Sequence, residues 1–251
     1  PTYVTVDPTT LKDSIQINWN STNISNFYAY NLYRNNVLTK SLTSQTLNSY
    51  WDVVNAVTSP TPYTYYIKVA DQCFKESPLS TIHSSIKLDV QSVASAGGLG
   101  SNMLTFNAYT GWGDQATNID KYEIYRKNPK SAYSLVGSVT PISGATNYQF
   151  EDKGLCSDVY TYYVKALNKN FTDPRYGYYS LSNYDEEIAT FNVIVTPVDV
   201  NYVTVDSINK ITVKWTDAPV TAGVLKQYIV EKTSNSNPVP SIVYRGTATT
   251  F

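Results

Sequence analysis

Residue types that build catalytic and metal centres are scarce in this chain. Among 251 residues there are one histidine, one methionine and two cysteines. Zinc sites usually take several Cys or His ligands, and a catalytic triad needs a histidine beside its nucleophile, so we expect the lone His83 to be structural. Two cysteines are also too few for a disulfide framework. The sequence therefore predicts no catalytic residue, no bound cofactor and no metal site.

Charge is scarce as well. Only 16% of the residues are charged, and the net charge is −1. This leaves no basic surface for nucleic acid and no polybasic patch for anionic lipid. No apolar run approaches membrane-spanning length. We therefore expect neither a nucleic-acid partner nor direct insertion into a membrane.

Tyrosine, in contrast, is abundant. The 23 tyrosines outnumber the 19 lysines and arginines together. A surface rich in Tyr, Thr, Ser and Asn favours an extracellular, secreted or cell-surface protein. Because the chain lacks an initiator methionine and a signal peptide, we also expect it to be an internal stretch of a longer polypeptide.

The sequence repeats itself. Residues 63–70 (YTYYIKVA) return as 160–167 (YTYYVKAL), and 30–34 (YNLYR) return as 122–126 (YEIYR). The first two copies begin 97 residues apart. That period is too long for a solenoid, and it is the size of a small β-sandwich of about 100 residues.

The repeated segments have the pattern of strands. Side chains alternate along 63–70, so that one face can be buried and the other wet. No segment has the period of an amphipathic helix. The predicted fold class is all-β, with one antiparallel sandwich per repeat. The expected domains are 1–91, 92–192 and a partial third domain, 193–251, that holds only the N-terminal strands.

The order of three motifs resembles fibronectin type III domains. Trp19 is followed by the Tyr-x-x-Tyr-Arg motif at 30–34 and then by the alternating strand from Tyr63. The resemblance implies tandem fibronectin type III-like, immunoglobulin-like sandwiches. It also implies a tyrosine corner on the first Tyr of strand F, a role that falls on Tyr63 and Tyr160. A buried tyrosine hydroxyl needs a partner, and the corner supplies a backbone one.

A narrower resemblance concerns two longer segments. Residues 71–88, and 106–112 followed by 122–126, are similar to segments of Bacteroidetes gliding-motility-associated proteins that are exported by the type IX secretion system. In those relatives Gly usually follows the Cys, whereas Phe74 stands here. The resemblance implies a large secreted or surface protein with a link to gliding or surface attachment.

The two cysteines are expected to be unpaired. Cys73 follows the strand of the first repeat, whereas Cys156 precedes the equivalent strand of the second repeat. In an end-to-end array these positions lie at far poles of adjacent sandwiches, beyond the reach of a disulfide.

One loop is a candidate for interactions. It lies between strands F and G of the second repeat, where sandwich domains often place recognition residues. Its alternative role is to cover the end of the sandwich. The candidate residues are Phe171, Arg175, Tyr176, Tyr178 and Tyr179.

Three other patterns each have a structural alternative. Ser14 and Ser207 lie in Asp-Ser-Ile triplets that match a short O-glycosylation motif of the same phylum. The loop 114–120 has oxygen ligands that could hold calcium or form a plain turn. The acidic run 185–187 could serve glycoside hydrolysis or form a charged edge strand.

The expected function is non-catalytic. The array would act as a spacer and adhesion segment whose partners are other domains of the same long chain, surface or secretion proteins, or glycans. Two alternatives stay open at this point. One is an accessory module of a secreted polysaccharide-degrading enzyme, and the other is an interaction subunit of a surface or secretion complex.

Overall fold

In the computed structural model of the chain, nearly all of the regular secondary structure consists of strands. The structure describes residues 1–93, 99–169, 179–190, 199–205, 207–208, 210–216, 228–234 and 237–246. Within these ranges the one helix has four residues, and no helix is long and apolar enough to cross a membrane. The all-β prediction is confirmed.

The first sandwich has two antiparallel sheets. In strand β2, Ile15 and Ile17 are fully buried and Gln16 between them is not, as a half-buried strand requires. The sheet orders are β1-β2-β5 and β4-β3-β6-β7. The strands are β1 Tyr3–Val6, β2 Ser14–Asn18, β3 Phe27–Arg34, β4 Val37–Leu42, β5 Ser49–Val53, β6 Thr64–Asp71 and β7 His83–Ser84.

The second sandwich repeats this arrangement. Its sheet orders are β12-β9-β8 and β11-β10-β13-β14, and β15 also pairs with β13. Because β8 pairs with β9, the domain change predicted after residue 91 falls inside β8. The elements are β8 Leu88–Val93, β9 Gly100–Asn107, α1 Gln115–Asn118, β10 Ile119–Lys127, β11 Ser134–Val139, β12 Asn147–Leu155, β13 Asp158–Asn168, β14 Tyr179–Leu181 and β15 Asp185–Ala189.

The third repeat contributes two described hairpins. Its Trp215 meets Tyr228 edge to face with ring centroids 5.4 Å apart, as Trp19 meets Tyr30 at 5.5 Å in the first sandwich. The same Trp–Tyr contact therefore occurs in the core of the first repeat and in the third repeat. The strands are β16 Val200–Val205, β17 Ile211–Trp215, β18 Tyr228–Ser234 and β19 Asn237–Gly246.

A buried carboxylate joins the two sheets of the first sandwich. Asp52 of β5 accepts hydrogen bonds from Arg34 Nη1 at 2.7 Å and from the Tyr65 hydroxyl at 3.0 Å. Tyr65 is fully buried, so its hydroxyl depends on this partner. Burial and the neighbouring carboxylate raise the pKa of Tyr65 well above its usual value.

The second sandwich contains the same three-residue network. Asp152 of β12 accepts from Arg126 Nη1 at 2.7 Å and from the Tyr162 hydroxyl at 2.9 Å. The network is therefore a repeated feature of the fold. In both copies the network links the end of one strand (β3 or β10) and its neighbour (β6 or β13) to the facing sheet.

The two residues predicted to form tyrosine corners lie beside these networks. Tyr63 lies under the guanidinium of Arg34, and Tyr160 lies under that of Arg126, with Cζ to ring-centroid distances of 5.7 and 5.3 Å. The hydroxyls that tie strand F to the facing sheet belong instead to Tyr65 and Tyr162, two positions later. The corner role of Tyr63 and Tyr160 stays a prediction.

Removing the buried hydroxyl should destabilise either sandwich. We expect Tyr65→Phe and Tyr162→Phe each to lower the free energy of unfolding by about 1–2 kcal/mol, because each leaves a buried carboxylate short of a donor. Urea denaturation followed by circular dichroism measures this. Tyr33→Phe is the control, since its hydroxyl bonds to Glu76 outside the core, and an equal loss there would contradict the prediction.

The interdomain joint as candidate functional site

The connection between the first two sandwiches is short and packed. β7 ends at Ser84 and β8 begins at Leu88, so only Ser85, Ile86 and Lys87 separate them. Ile86 is 1% exposed. The linker is therefore part of the packed structure, unlike the exposed, polar linkers at most domain boundaries.

Two asparagine side chains hold the linker backbone. Asn107 accepts from Lys87 N at 2.7 Å and donates to Ser85 O at 3.0 Å. Asn183 accepts from Leu88 N at 2.8 Å and donates to Leu88 O at 3.0 Å. Both asparagines belong to the second sandwich, so it satisfies backbone groups on both sides of the boundary.

An aromatic pair in the loop after β9 reaches back to the first sandwich. The hydroxyl of the fully buried Tyr109 accepts from Val4 N at 2.9 Å and lies 2.9 Å from His83 Nδ1. Trp112 Nε1 donates to Thr2 O at 2.9 Å. The Tyr109 and Trp112 rings pack on each other with centroids 4.1 Å apart. This pair seals the joint with apolar surface and anchors it with two backbone hydrogen bonds.

Helix α1 fixes the position of Tyr109. Gln115, its first residue, is buried and donates to the Tyr109 carbonyl, and the Tyr122 hydroxyl donates to Gln115. The Tyr109 amide donates to the Tyr122 hydroxyl at 3.0 Å. The loop is therefore held from within its own sandwich before it meets the first one.

A second contact strip runs along the open side of β1. Leu181 N donates to Thr5 Oγ1 at 2.9 Å, and Tyr184 N donates to Leu11 O at 2.9 Å. Leu11 has a φ of 56°, a left-handed conformation that costs a non-glycine residue about 1–2 kcal/mol. Its buried side chain and the bond from Tyr184 hold it there.

The two sandwiches share one hydrophobic core. Most of the buried apolar side chains of the two sandwiches form a single contiguous cluster that extends from Val4 in β1 to Ala189 in β15. Burial that is continuous across a boundary opposes independent motion of the two domains. The arrangement can therefore transmit orientation and force from one sandwich to the next.

His83 lies inside this joint as a neutral side chain. Burial lowers the pKa of His83 to about 3. The ring is 2% exposed and meets the Tyr109 ring edge to face. These contacts give His83 a packing and hydrogen-bonding role.

The predicted interaction loop is described only at its end. Tyr179 begins β14, and Lys165 Nζ lies 4.8 Å from the centroid of its ring. This cation–π contact leaves Tyr179 on the outer face of the sheet. The other candidates lie outside the described residues: Phe171, Arg175, Tyr176 and Tyr178.

The two candidate glycosylation serines have different surroundings. Ser14 begins β2, and its carbonyl accepts from Asp7 N at 2.9 Å. Ser207 is exposed. Modification of either residue stays a prediction.

Helix α1 lies within the loop 114–120, which contains the possible calcium ligands. Asp114 is the N-cap of this helix: its Oδ1 accepts from Thr117 N at 3.1 Å, and its Oδ2 accepts from Ser143 Oγ at 2.6 Å. These hydrogen bonds lower the pKa of Asp114. Across the described residues, no group of three or more His, Cys, Asp or Glu is placed to hold a metal ion.

The acidic run 185–187 lies on strand β15, which pairs with β13. Asp185 Oδ2 accepts from Val90 N at 2.8 Å. Burial raises the pKa of Asp185, and the bond to Val90 opposes this effect. Asp185 therefore helps to attach β8 to β15.

The two cysteines lie away from this strand. Cys73 and Cys156 are exposed free thiols.

The repeat pattern of the sequence does not indicate the joint. The available signal was the segment Tyr-Thr-Gly-Trp-Gly at 109–113, because the loops after Trp19 and Trp215 have no aromatic residue in the following five positions. Two glycines around a Trp in a loop indicate a required backbone shape and a buried anchor.

Comparisons with known proteins find similar solved structures but no matching family. No family model and no curated protein matches the chain. It is similar, at 15% identity, to the central fibronectin-III array of RIM-binding protein, over 86% of this chain and 78% of that chain, with a TM-score of 0.30. It is also similar to the FN1–FN3 domains of chicken CNTN1 at 15% identity, over 70% of this chain and 62% of that chain, with a TM-score of 0.27.

The strand order decides the fold class. In both complete repeats, strands one, two and five form one sheet, and strands four, three, six and seven form the other, to which β15 adds a fifth strand in the second repeat. The chain is a tandem array of fibronectin type III-like sandwiches. In this array the joint is the place where two such sandwiches become one packed unit.

Adding a methyl group at Gly111 should open the joint between the fibronectin type III-like sandwiches. Gly111 has a φ of 109°, and a Cβ there would overlap the His83 ring. We expect the amides of Lys87 and Leu88 to exchange about tenfold faster or more in Gly111→Ala, as local opening exposes them. Hydrogen exchange with mass spectrometry measures this.

Gly144→Ala is the matched control for that experiment. Gly144 also has a positive φ, of 74°, but a Cβ there would meet nothing within 4 Å. The Gly144→Ala variant should introduce the same kind of backbone strain, but the amides of Lys87 and Leu88 should exchange at the wild-type rate. Equal linker exchange in the two variants would show that the joint does not depend on this contact.

Acid should weaken the joint through His83. Because the folded pKa is about 3 against an ordinary value of 6.5, the unfolded chain binds more protons in between, and stability falls as pH falls from 6.5 toward 3. Lowering the pH from 7 to 5 should lower the free energy of unfolding by about 2 kcal/mol. The measurement is urea denaturation of the wild type and of His83→Gln at pH 7 and at pH 5. An equal loss in the two proteins would contradict this role.

Proposed function

We propose that this chain is a rigid, non-catalytic spacer segment of a large secreted or surface-anchored bacterial protein. The observation that carries the proposal is the packed joint between the first two sandwiches. A linker of three residues with its backbone bonded to asparagine side chains cannot act as a swivel. A spacer needs this property, because it must keep distant binding or anchoring domains at a set separation.

The rigidity has three independent sources. The linker backbone is bonded by Asn107 and Asn183, the aromatic loop is bonded to β1, and β14 is bonded to Thr5. Contacts on several sides of a joint oppose bending in several directions. Interfaces of this kind are unusual between domains of one chain, where relative motion is the default.

The adhesive and bacterial aspects of the proposal have a different support. Export by the type IX system, gliding and surface attachment are supported by the resemblance of residues 71–88, 106–112 and 122–126 to gliding-motility-associated proteins. A location outside the cell agrees with the low charge and the abundance of tyrosine. The partners would be other domains of the same chain, and surface proteins or glycans beyond them.

The two native cysteines allow a direct test of rigidity. Cys73 lies in the first sandwich and Cys156 in the second, both are exposed, and the chain has no other cysteine. Spin labels on both thiols report the distance between the sandwiches by double electron–electron resonance. We expect one narrow distance distribution for the wild type, because the shared core fixes the relative orientation.

The same measurement on two variants tests whether the joint, rather than the spin labels, determines the width of the distance distribution. Gly111→Ala should broaden the distribution, and Gly144→Ala should leave it narrow. A broad distribution in the wild type, as wide as that of the Gly111 variant, would disprove the spacer proposal. It would show that the two sandwiches move independently in solution.

A further inference from the structure

Strand β5 of the first sandwich has an apolar and uncharged outer face. Trp51 is 42% exposed and Val53 is 83% exposed. In the part of the chain that the structure describes, β5 pairs only with β2 and is the last strand of its sheet. An edge strand of this kind is open to pairing with another strand.

The hydrogen bonds at the ends of β5 fix which of its backbone groups are open. Trp19 N donates to Asn48 O just before the strand, and Val54 N donates to Asp13 O just after it. In an antiparallel ladder, residues that bond to the neighbour alternate with residues that do not. Counting from these two ends, the even-numbered residues 48, 50, 52 and 54 bond to β2.

The odd-numbered residues of β5 therefore direct their N–H and C=O groups to the open edge. These are Ser49, Trp51 and Val53. The open edge thus combines unpaired backbone groups with a Trp and a Val side chain on its outer face. A partner strand can use both at once, the backbone for affinity and the side chains for specificity.

The equivalent strand of the second sandwich shows how this edge could have been protected. Since Asp52 and Asp152 have the same partners, Trp51 corresponds to Glu151 and Val53 corresponds to Lys153. Glu151 and Lys153 form a salt bridge at 2.9 Å. The ladder of β12 also shifts register between Lys153 and Leu155. Charges and irregular pairing are the usual devices that stop edge strands from pairing, and β5 has neither on its outer face.

The other end of the same sheet is already covered. Leu181 of the second sandwich donates to Thr5 Oγ1 of β1, and Thr5 lies in one row with Gln16 and Trp51 across the sheet. The row thus starts inside an established interface and ends at an exposed tryptophan. Within the first sandwich this leaves β5 as the open edge of its sheet.

We propose that β5 pairs antiparallel with β5 of a second copy of the chain. In a two-fold pairing centred on Trp51, each Trp51 lies opposite its counterpart, and Ser49 lies opposite Val53. The pairing adds about six backbone hydrogen bonds and brings the two Trp51 Cα atoms to about 5.5 Å.

A second copy is the partner that the charge pattern favours. None of the three edge residues carries a charge, so two copies meet without like-charge repulsion, and the edge offers no charge to attract an acidic or basic partner. The nearby carboxylate of Asp52 points inward to Arg34. Two-fold pairing of one surface with itself is also the commonest form of protein dimer.

The association should be weak. A pair of five-residue strands buries less than the about 800 Å² per partner of a standard interface, so we expect a Kd of about 10–1,000 µM. Several such contacts between long arrays would add by effective concentration. The inference thus extends the spacer proposal by giving the array a lateral contact, but it does not depend on the spacer being rigid.

Sedimentation of the 251-residue chain tests the proposal. The variant carries Trp51→Glu and Val53→Lys, which are the residues of the second sandwich at these positions. We expect a concentration-dependent dimer in the wild type and dimerisation weaker by about tenfold or more in the variant. Val37→Lys is the control, because Val37 is 67% exposed on β4 and does not belong to the proposed contact.

Two results would overturn the proposal. One is a wild type that stays monomeric up to about 1 mM, above the range expected for a weak contact. The other is a dimer that the double variant leaves unchanged or that Val37→Lys weakens equally. Hydrogen exchange of the wild type needs no variant: protection of the Trp51 and Val53 amides must rise with concentration, and constant protection would also reject β5 pairing.

Discussion

The buried hydroxyl of Tyr109 is the contact on which the joint depends. It accepts a hydrogen bond from the backbone of β1 and lies within bonding distance of His83. If the two sandwiches tilted apart without letting water in, these groups would lose their hydrogen bonds. Each unsatisfied buried group would then destabilise the structure by about 1–3 kcal/mol. The joint therefore closes completely or opens to solvent, and intermediate tilts are costly. This makes the two sandwiches a single mechanical unit.

Local patterns predicted the strands because the side-chain period of two is set within each segment. The same period could not choose between Tyr63 and Tyr65 as the structural tyrosine, since residues two apart lie on the same face. The choice depends on Asp52, which lies across the sandwich and reaches the Tyr65 hydroxyl. Sequence reasoning therefore located the strand and its buried face, while the hydrogen-bonded position required the packing of the two sheets.

The joint was beyond such reasoning for a related reason. Its contacts link residues that are far apart in sequence, such as Val4 with Tyr109 and Leu88 with Asn183. A loop motif with glycines and a tryptophan indicates that something is buried there, but its partner depends on the placement of a whole neighbouring domain.

The two complete sandwiches show which positions the fold constrains. The Arg–Asp–Tyr network occurs in both, because a buried carboxylate without its donors would be costly in either. The residues that flank the aspartate on the outer face differ completely, with Trp51 and Val53 in one sandwich and a Glu151–Lys153 ion pair in the other. Folding accepts both solutions, so it does not explain the exposed tryptophan. An exposed apolar edge that the fold does not require, in a chain that has a protected version of the same strand, is best explained by a contact outside the domain.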